Sequence, residues 1–563
     1  VAALAVVLLA IVGVFAGKLV VVQAVDGPTL AQQARDARLS TVTVIGSRGQ
    51  ITDATGVVLA GSVTRFDISV NQRLIPNFKG GDGVPAGAAG VAQTLAPLLG
   101  MDPAELGGKL VGTSAYKYLK KGVLPTDARQ IAALRINGIN VEQTAERVYP
   151  NGTLAGDIIG FTNSNGQGLQ GLESALNARL TGTSGTLTYE RGGNGQAIPG
   201  GYRSGEAATD GSSVQLTIRD DVQWKAQDSI ERAVKESGAS SAEIVVMRPD
   251  GEVLAIADSS TIDPNKPGAG SDGALLSAVS DVFEPGSTGK VVTMAAALET
   301  GAVTPTSQFQ VPSTYAIGSQ IFHDSHDHAL ENLTTTGVLA ESSNVGTVQI
   351  GQKMSAQTQY DYMSKFGFGS PTGIEVPGES AGILHPVDQW DGRTRYNVLF
   401  GQGVSVTALQ AASVYATIAN GGVRVAPHLV KGWTAPDGTF TPSTTAASTQ
   451  VVSPQTAATV TTMLESVVDD GTGGAAAVNG YRVAGKTGTA QDIATNGITA
   501  SFIGFAPADN PQVVVAVVLK NPKTSIYGGV VAAPVFSEVT SYTLTVLGAA
   551  PSGAPATLFP TTW

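Results

Sequence analysis

Residues 1–17, VAALAVVLLAIVGVFAG, carry no charge, and after Lys18 a second apolar run extends to Val22. Seventeen helical residues span about 25 Å, short of the roughly 30 Å hydrocarbon core, so a crossing needs the second run, with Lys18 snorkelling to the interface. The pattern predicts a single membrane anchor over 1–22, with everything after it on the outer side. A secretory signal peptide is the competing reading, but no small-residue cleavage site follows. From 23 to about 215 the apolar positions come in short alternating runs, such as 42–45 and 66–70. Glycine-rich stretches interrupt them, including GGDGVPAGAAG at 80–90 and RGGNGQAIPGGYRSG at 191–205. This predicts an extended β-rich module over 23–215. The period then lengthens. Residues 221–237 read as a helix, and 242–247 and 253–257 as a hairpin around Asp250-Gly251, so 216–546 is expected to form a mixed α+β domain. The Ser/Thr/Pro-rich 434–450 reads as a surface excursion and 547–563 as a tail, loose from 549 onward.

The 563 residues suffice for three to four domains with cores of their own. With 34 Lys+Arg against 45 Asp+Glu the net charge is −11, which argues against nucleic acid as a partner. The chain has no cysteine. Thiolate nucleophiles, disulfides and Cys-ligated zinc are therefore excluded, and chemistry must come from Ser, Lys, His or carboxylates.

Three segments carry such chemistry. In FEPGSTGKVVTMAAALETG, residues 283–301, a Pro-Gly turn precedes Ser287, which is predicted to open a helix that stops at Gly301. Lys290 lies three residues on, on the same face, so its amine can reach the hydroxyl: a nucleophile beside a base. S-x-x-K alone is weak, since a serine cap with a solvated lysine looks the same. Ser342-Ser343-Asn344 adds hydroxyls and an amide between two predicted helices, and Lys486-Thr487-Gly488 sits in the apolar run 483–490, read as a buried strand. S-x-x-K, S-x-N and K-T-G in this order form the signature of active-site serine acyltransferases.

The chain resembles the class B penicillin-binding proteins over most of its length. Arg48-Gly49-Gln50-Ile51-Thr52-Asp53 with Gly56, Leu59 and Ala60 is similar to the family's membrane-proximal signature, with Ala54 in place of its usual arginine. Further matches are 147–152 (RVYPNG), 171–173 (GLE), 216–218 (LTI), Gly401-Gln402-Gly403 with Thr407 and Gln410, 419–422 (ANGG) and 501–507 (SFIGFAP). A glycine, Gly289, stands before the lysine where a bulkier residue is commoner, which predicts a less rigid turn.

The resemblance implies a pedestal followed by a transpeptidase domain with an antiparallel sheet flanked by helices. The activity implied is cross-linking of peptidoglycan stem peptides ending in D-Ala-D-Ala through an acyl-serine, with β-lactams as inhibitors. Ser287 is implied as nucleophile, Lys290 as base, Ser342 as proton relay and Asn344 as holding Lys290 and the substrate amide. Lys486, Thr487, Gly488 and Thr489 are implied to face the substrate carboxylate, with backbone N–H groups of Ser287 and Thr489 as oxyanion hole. Burial and the like charge of Lys486 are expected to lower the Lys290 pKa. No cofactor and no metal are implied: His323, His326 and His328 with Asp324 and Asp327 could ligate zinc, but the stretch is read as a strand and turn leading to S-x-N.

The implied partners are a membrane glycosyltransferase that polymerises the glycan and proteins of the division complex. The Glu-Asp dipeptide that opens the glycosyltransferase signature is absent from the chain. The septal, FtsI-type branch is preferred to the elongation branch. A non-catalytic β-lactam sensor or division scaffold, and a β-lactamase, are the alternatives from other classes.

Overall fold

In a computed structural model the structure describes residues 1–36, 38–192, 198–268, 275–444, 447–492 and 497–563. A helix over Ala2–Val20 continues as a wider turn over Val21–Val25. Together they make a 24-residue apolar helix with no buried residue, long enough to cross a membrane.

Two compact units follow from the packing. The first comprises Val1–Gly49, Ser62–Val148 and Thr181–Ser212, and the second Gln50–Gly61, Tyr149–Leu180 and Ser213–Trp563. Each unit is assembled from separate stretches of the chain. Ile51–Thr52 pairs in parallel with Ser213–Leu216, and Tyr149, Ile158, Leu172 and Leu180 are buried in the core of the second unit.

In the first unit the later half of the strand Val58–Val70 pairs with Lys117–Val123 and with Ile139–Val148. A separate antiparallel sheet joins Leu39–Val44, Gly185–Glu190 and Arg203–Glu206. The unit is more helical than the sequence pattern suggests: Gly87–Leu99, Pro103–Leu110 and Pro125–Ala133 are helices. The first begins inside the glycine-rich stretch because Val91, Leu95 and Leu99 recur every fourth residue and bury one face.

The second unit is built on a five-stranded antiparallel sheet ordered Val253–Asp258, Ser241–Met247, Val513–Lys520, Gly497–Ala506, Ala484–Asp492. The run VVVAVVL at 513–519 is buried on both faces, so it reads as continuous apolar sequence rather than alternation. Odd positions from Val513 to Leu519 face one cluster with the helices Asp220–Ser237 and Ala533–Val546. Val514, Ala516 and Val518 face the other, with Ala408–Ala419 and Lys290–Glu299. The strand Ala484–Asp492 is one edge of the sheet, and the turn Gly286–Gly289 packs against it.

The tail is not loose. Residues 560–563 hydrogen-bond along the strand Glu331–Thr334, and Phe559 packs on the core. Ala54, where the family has arginine, uses only its backbone: its N–H donates to Ile218 O at 2.7 Å. The buried Asp53 carboxylate accepts from Thr55 N at 2.7 Å, Val57 N at 2.8 Å and Asp220 N at 3.2 Å. The carboxylate therefore has its donors without that arginine.

Candidate active site

Ser287 stands not in an α-helix but in a 3₁₀ turn, Gly286–Gly289, which runs directly into the helix Lys290–Glu299. Gly286 has φ +54°, and a Cβ there would meet Thr489 O at 3.0 Å, so glycine lets the turn lie against the edge strand. Thr288 Oγ1 donates to Pro285 O at 2.7 Å, and the buried Tyr415 hydroxyl donates to Thr288 O at 2.9 Å. Tyr415 is supplied by Ala408–Ala419, a helix started by a capping box between Thr407 and Gln410. Gly289 does not loosen the turn as expected. Its Cβ would sit 3.2 Å from Gly401 Cα, while Gly401 itself, at φ +78°, would place a Cβ 2.1 Å from Gly286 O. Gly289 of S-x-x-K and Gly401 are thus explained by one close backbone approach, sealed by Gly286 N donating to Gly401 O at 2.9 Å.

Lys290 is fully buried. Its Nζ donates to the Ser342 carbonyl at 2.5 Å and to Ser342 Oγ at 3.4 Å, joining the first two motifs. Burial pulls its pKa down to about 7, against an opposing pull from the Asp324 charge. Ser342 reaches this position with φ +62°. The left-handed conformation costs a serine on the order of 1 kcal/mol and is held by Ser342 N and Ser343 N donating back to Leu339 O and Val338 O.

Ser343 caps the helix Asn344–Gly351, accepting from Gly346 N at 2.8 Å. Asp324 was not assigned from sequence, yet it organises this motif. It accepts from Ser343 Oγ at 2.8 Å, Asn344 N at 2.5 Å and Val345 N at 3.0 Å, and pairs with His328 Nε2 at 3.1 Å. The signal was present in IFHDSHDH, as an acid just past a strand; it serves as a helix-terminus acceptor. Asn344 Nδ2 donates to His323 O at 3.2 Å, and no Asn344–Lys290 bond occurs among the described residues.

Lys486 is likewise buried, on the strand Ala484–Asp492, with Nζ 3.0 Å from Thr487 Oγ1 and 3.5 Å from Thr472 Oγ1. Burial holds its pKa far below the usual lysine range, with the Lys290 charge adding to the effect and Glu341 opposing it. Thr487 is buried and shares a hydrogen bond of 2.8 Å with Thr472, a residue that no sequence motif marks, so its hydroxyl is engaged inside the protein rather than toward a ligand. Thr489 is exposed. Gly488 is required by packing: a Cβ would lie 2.3 Å from Ser501 Oγ and 2.9 Å from Thr288 Cγ2. The result is a partly exposed serine on a braced turn, three residues before a buried lysine that ionises near neutrality and bonds Ser342, with a second buried lysine and an exposed threonine on the neighbouring strand; no hydrogen bond joins Ser287 Oγ to Lys290 or Ser342 among the described residues.

Residues 242–541 match the penicillin binding protein transpeptidase domain, and 43–216 match the penicillin-binding protein dimerisation domain. Penicillin-binding protein PbpB of Mycolicibacterium smegmatis is 42% identical over 455 residues, covering 77% of this chain and 70% of that protein. Peptidoglycan D,D-transpeptidase FtsI of Escherichia coli is 32% identical over 546 residues, covering 95% and 90%. The crystal structure of penicillin binding protein 3 from Mycobacterium tuberculosis, complexed with aztreonam, superposes with a TM-score of 0.71 at 32% identity, covering 92% of this chain and all of that one. An ordered S-x-x-K, S-x-N and K-T-G set, a braced serine and these matches give one answer: the chain belongs to the class B penicillin-binding proteins, with a dimerisation domain ahead of a serine transpeptidase domain.

Proposed function

We propose that the protein cross-links peptidoglycan stem peptides at the division septum, and that β-lactams acylate it. Ser287 Oγ attacks the carbonyl of the penultimate D-Ala while neutral Lys290 Nζ takes its proton. The C–N bond to the terminal D-Ala breaks, Ser342 passes a proton to the departing amine, and an acyl ester on Ser287 remains. The amine of a neighbouring stem then attacks the ester, forming the new amide and returning the hydroxyl. The backbone N–H groups of Ser287 and Thr489 hold the oxyanion, a contribution worth about 3 kcal/mol per donor in comparable acyl transfers. Lys486 and Thr489 attract the substrate carboxylate, Gly488 lets their strand lie against Ser501 and the turn bearing Thr288, and Thr487 tunes Lys486. Asn344 serves the substrate amide.

The observation that carries this reading is the fully buried Lys290 amine, brought to a pKa of about 7 where it can act as a base at neutral pH. Mass spectrometry after benzylpenicillin treatment should show one covalent adduct, absent in Ser287→Ala; an adduct that survives the substitution would place the nucleophile elsewhere.

The septal role is supported by the likeness to FtsI. The apolar N-terminal helix is the anchor of this reading, holding the catalytic unit on the outer side of the membrane beside a glycan polymerase and division-complex partners. A tagged full-length chain should concentrate at midcell in constricting cells, and uniform sidewall signal would instead favour the elongation branch.

A further inference from the structure

The C-terminal segment that sequence reading leaves as a loose tail is attached at two places, each next to a catalytic motif. Its start is held beside K-T-G. Ala549 O accepts from the Tyr481 hydroxyl at 2.9 Å, and Ser552 Oγ accepts from Arg482 N at 3.0 Å. Tyr481 and Arg482 lead directly into the strand Ala484–Asp492. Arg482 is itself fixed by a bidentate pair with the buried Glu465, both bonds 2.7 Å.

Its end is held just before S-x-N. Residues 560–563 add an antiparallel edge to the strand Glu331–Thr334, whose other side pairs with Gln308–Val311. Thr334 N donates to Thr561 O at 3.0 Å, Thr334 Oγ1 to Pro560 O at 2.6 Å, and Trp563 N to Asn332 O at 3.2 Å. Trp563 Nε1 donates to Phe309 O at 3.4 Å. Thr334 is also the N-cap of the wholly buried helix Thr335–Ala340, accepting from Gly337 N at 3.0 Å. That helix ends at the left-handed Ser342, whose carbonyl receives the Lys290 proton donor. Gly337 is shaped to the segment: a Cβ there would lie 1.9 Å from Thr561 O.

We infer that the segment from Ala549 to Trp563 is a catalytic tie, setting the S-x-N motif against K-T-G so that Ser342 meets Lys290. Phe559, Thr561 and Trp563 are positioning residues, since they act through Thr334 and the helix it caps and touch no reacting atom. This rests on the reading of Ser287, Lys290 and Ser342 given above.

The test is the second-order rate of acylation of the full-length protein by a fluorescent penicillin across pH, for Phe559→Ala/Trp563→Ala and for Gly337→Ala. The rate should fall roughly 10-fold, inside the 10²-fold that about 1 Å of misplacement costs. The acid limb of its pH profile should shift, because Lys290, whose titratable neighbours are Asp324 and Lys486, loses its fixed contact with Ser342. Trp563→Phe with Phe559 retained should restore both. Gly337→Ala carries its clash into a buried helix and can unfold the unit, so the double variant decides. An unchanged rate and limb, with fast hydrogen exchange at the Thr334 amide proving release of the segment, overturns the tie. So does a rate that falls only in proportion to a lowered folded fraction, with the limb unmoved. If Ser287→Ala still acylates, the site reading itself fails, an outcome distinguishable from either.

Discussion

Lys290→Met should reduce acylation by penicillin about 10³-fold while raising the melting temperature. The loss follows from removing the base: a positioned general base contributes some 10²–10⁴-fold, and without it the Ser287 hydroxyl stays protonated at neutral pH. The gain follows from linkage. The folded-state pKa of Lys290 is about 7, whereas its ordinary value is 10.5. Between those values the unfolded chain binds a proton that the folded chain does not, so this residue lowers stability progressively as pH falls from about 10.5 to about 7, and by a constant amount below. The stabilisation conferred by methionine, similar in length and apolar, should therefore grow as pH is lowered from 10 to 7 and level off beneath, reaching on the order of a few kcal/mol. In the wild type the acylation rate should rise with pH through about 7, as the amine becomes neutral. Thermal melts of the variant over pH 6–10 beside acylation rates provide the check; a variant that loses stability and activity together would mean that Lys290 enters the fold as a cation.

The readability of this chain from sequence follows from which interactions are local. The order of the motifs, the hairpin at 241–258 and the helix behind it depend on residue type and period, and the structure places them accordingly. What could not be read depended on packing between distant segments. Gly289 looked like a source of slack, and only the approach of Gly401 reveals it as a close fit. Residues 549–563, rich in Ala, Pro and Thr, have no apolar period, and their order comes from an open strand edge more than 200 residues earlier. Thr472 lies in a turn no motif marks, and it meets Thr487 because the helix Pro454–Asp469 ends beside the edge strand. The depression of both lysine pKa values was expected from burial and like charge; that burial is the larger cause at each required the geometry.

Asp324→Asn should slow acylation about 10²-fold and shift its acid limb below pH 7, two effects that a general loss of fold would not combine. The Asp324 side chain is only 5% exposed and accepts from Ser343 Oγ, Asn344 N and Val345 N at once. Asparagine keeps the volume, and its carbonyl oxygen in the place of Oδ1 can still accept from Asn344 N and Val345 N, but an NH₂ in the place of Oδ2 no longer accepts from the Ser343 hydroxyl or from His328 Nε2, at a cost of about 1–3 kcal/mol. The charge also disappears from a helix N-terminus, which costs up to about 2 kcal/mol more in a buried setting. Relaxation of this end moves Ser342 and Asn344 together, because they flank the capping Ser343, and small displacements of catalytic groups are expensive in rate. The pH shift has a separate origin. Asp324 favours the charged form of Lys290, the one identified pull opposing burial, so neutralising it lets burial act unopposed and the amine lose its proton at lower pH. Above pH 8, where Lys290 is neutral in both proteins, the variant should be slow for geometric reasons alone; below pH 6.5 the gap between the proteins should narrow. Acylation rates from pH 5 to 9 decide the matter, and a gap that is constant across that range would remove Asp324 from the electrostatics of Lys290 while leaving its role as a cap.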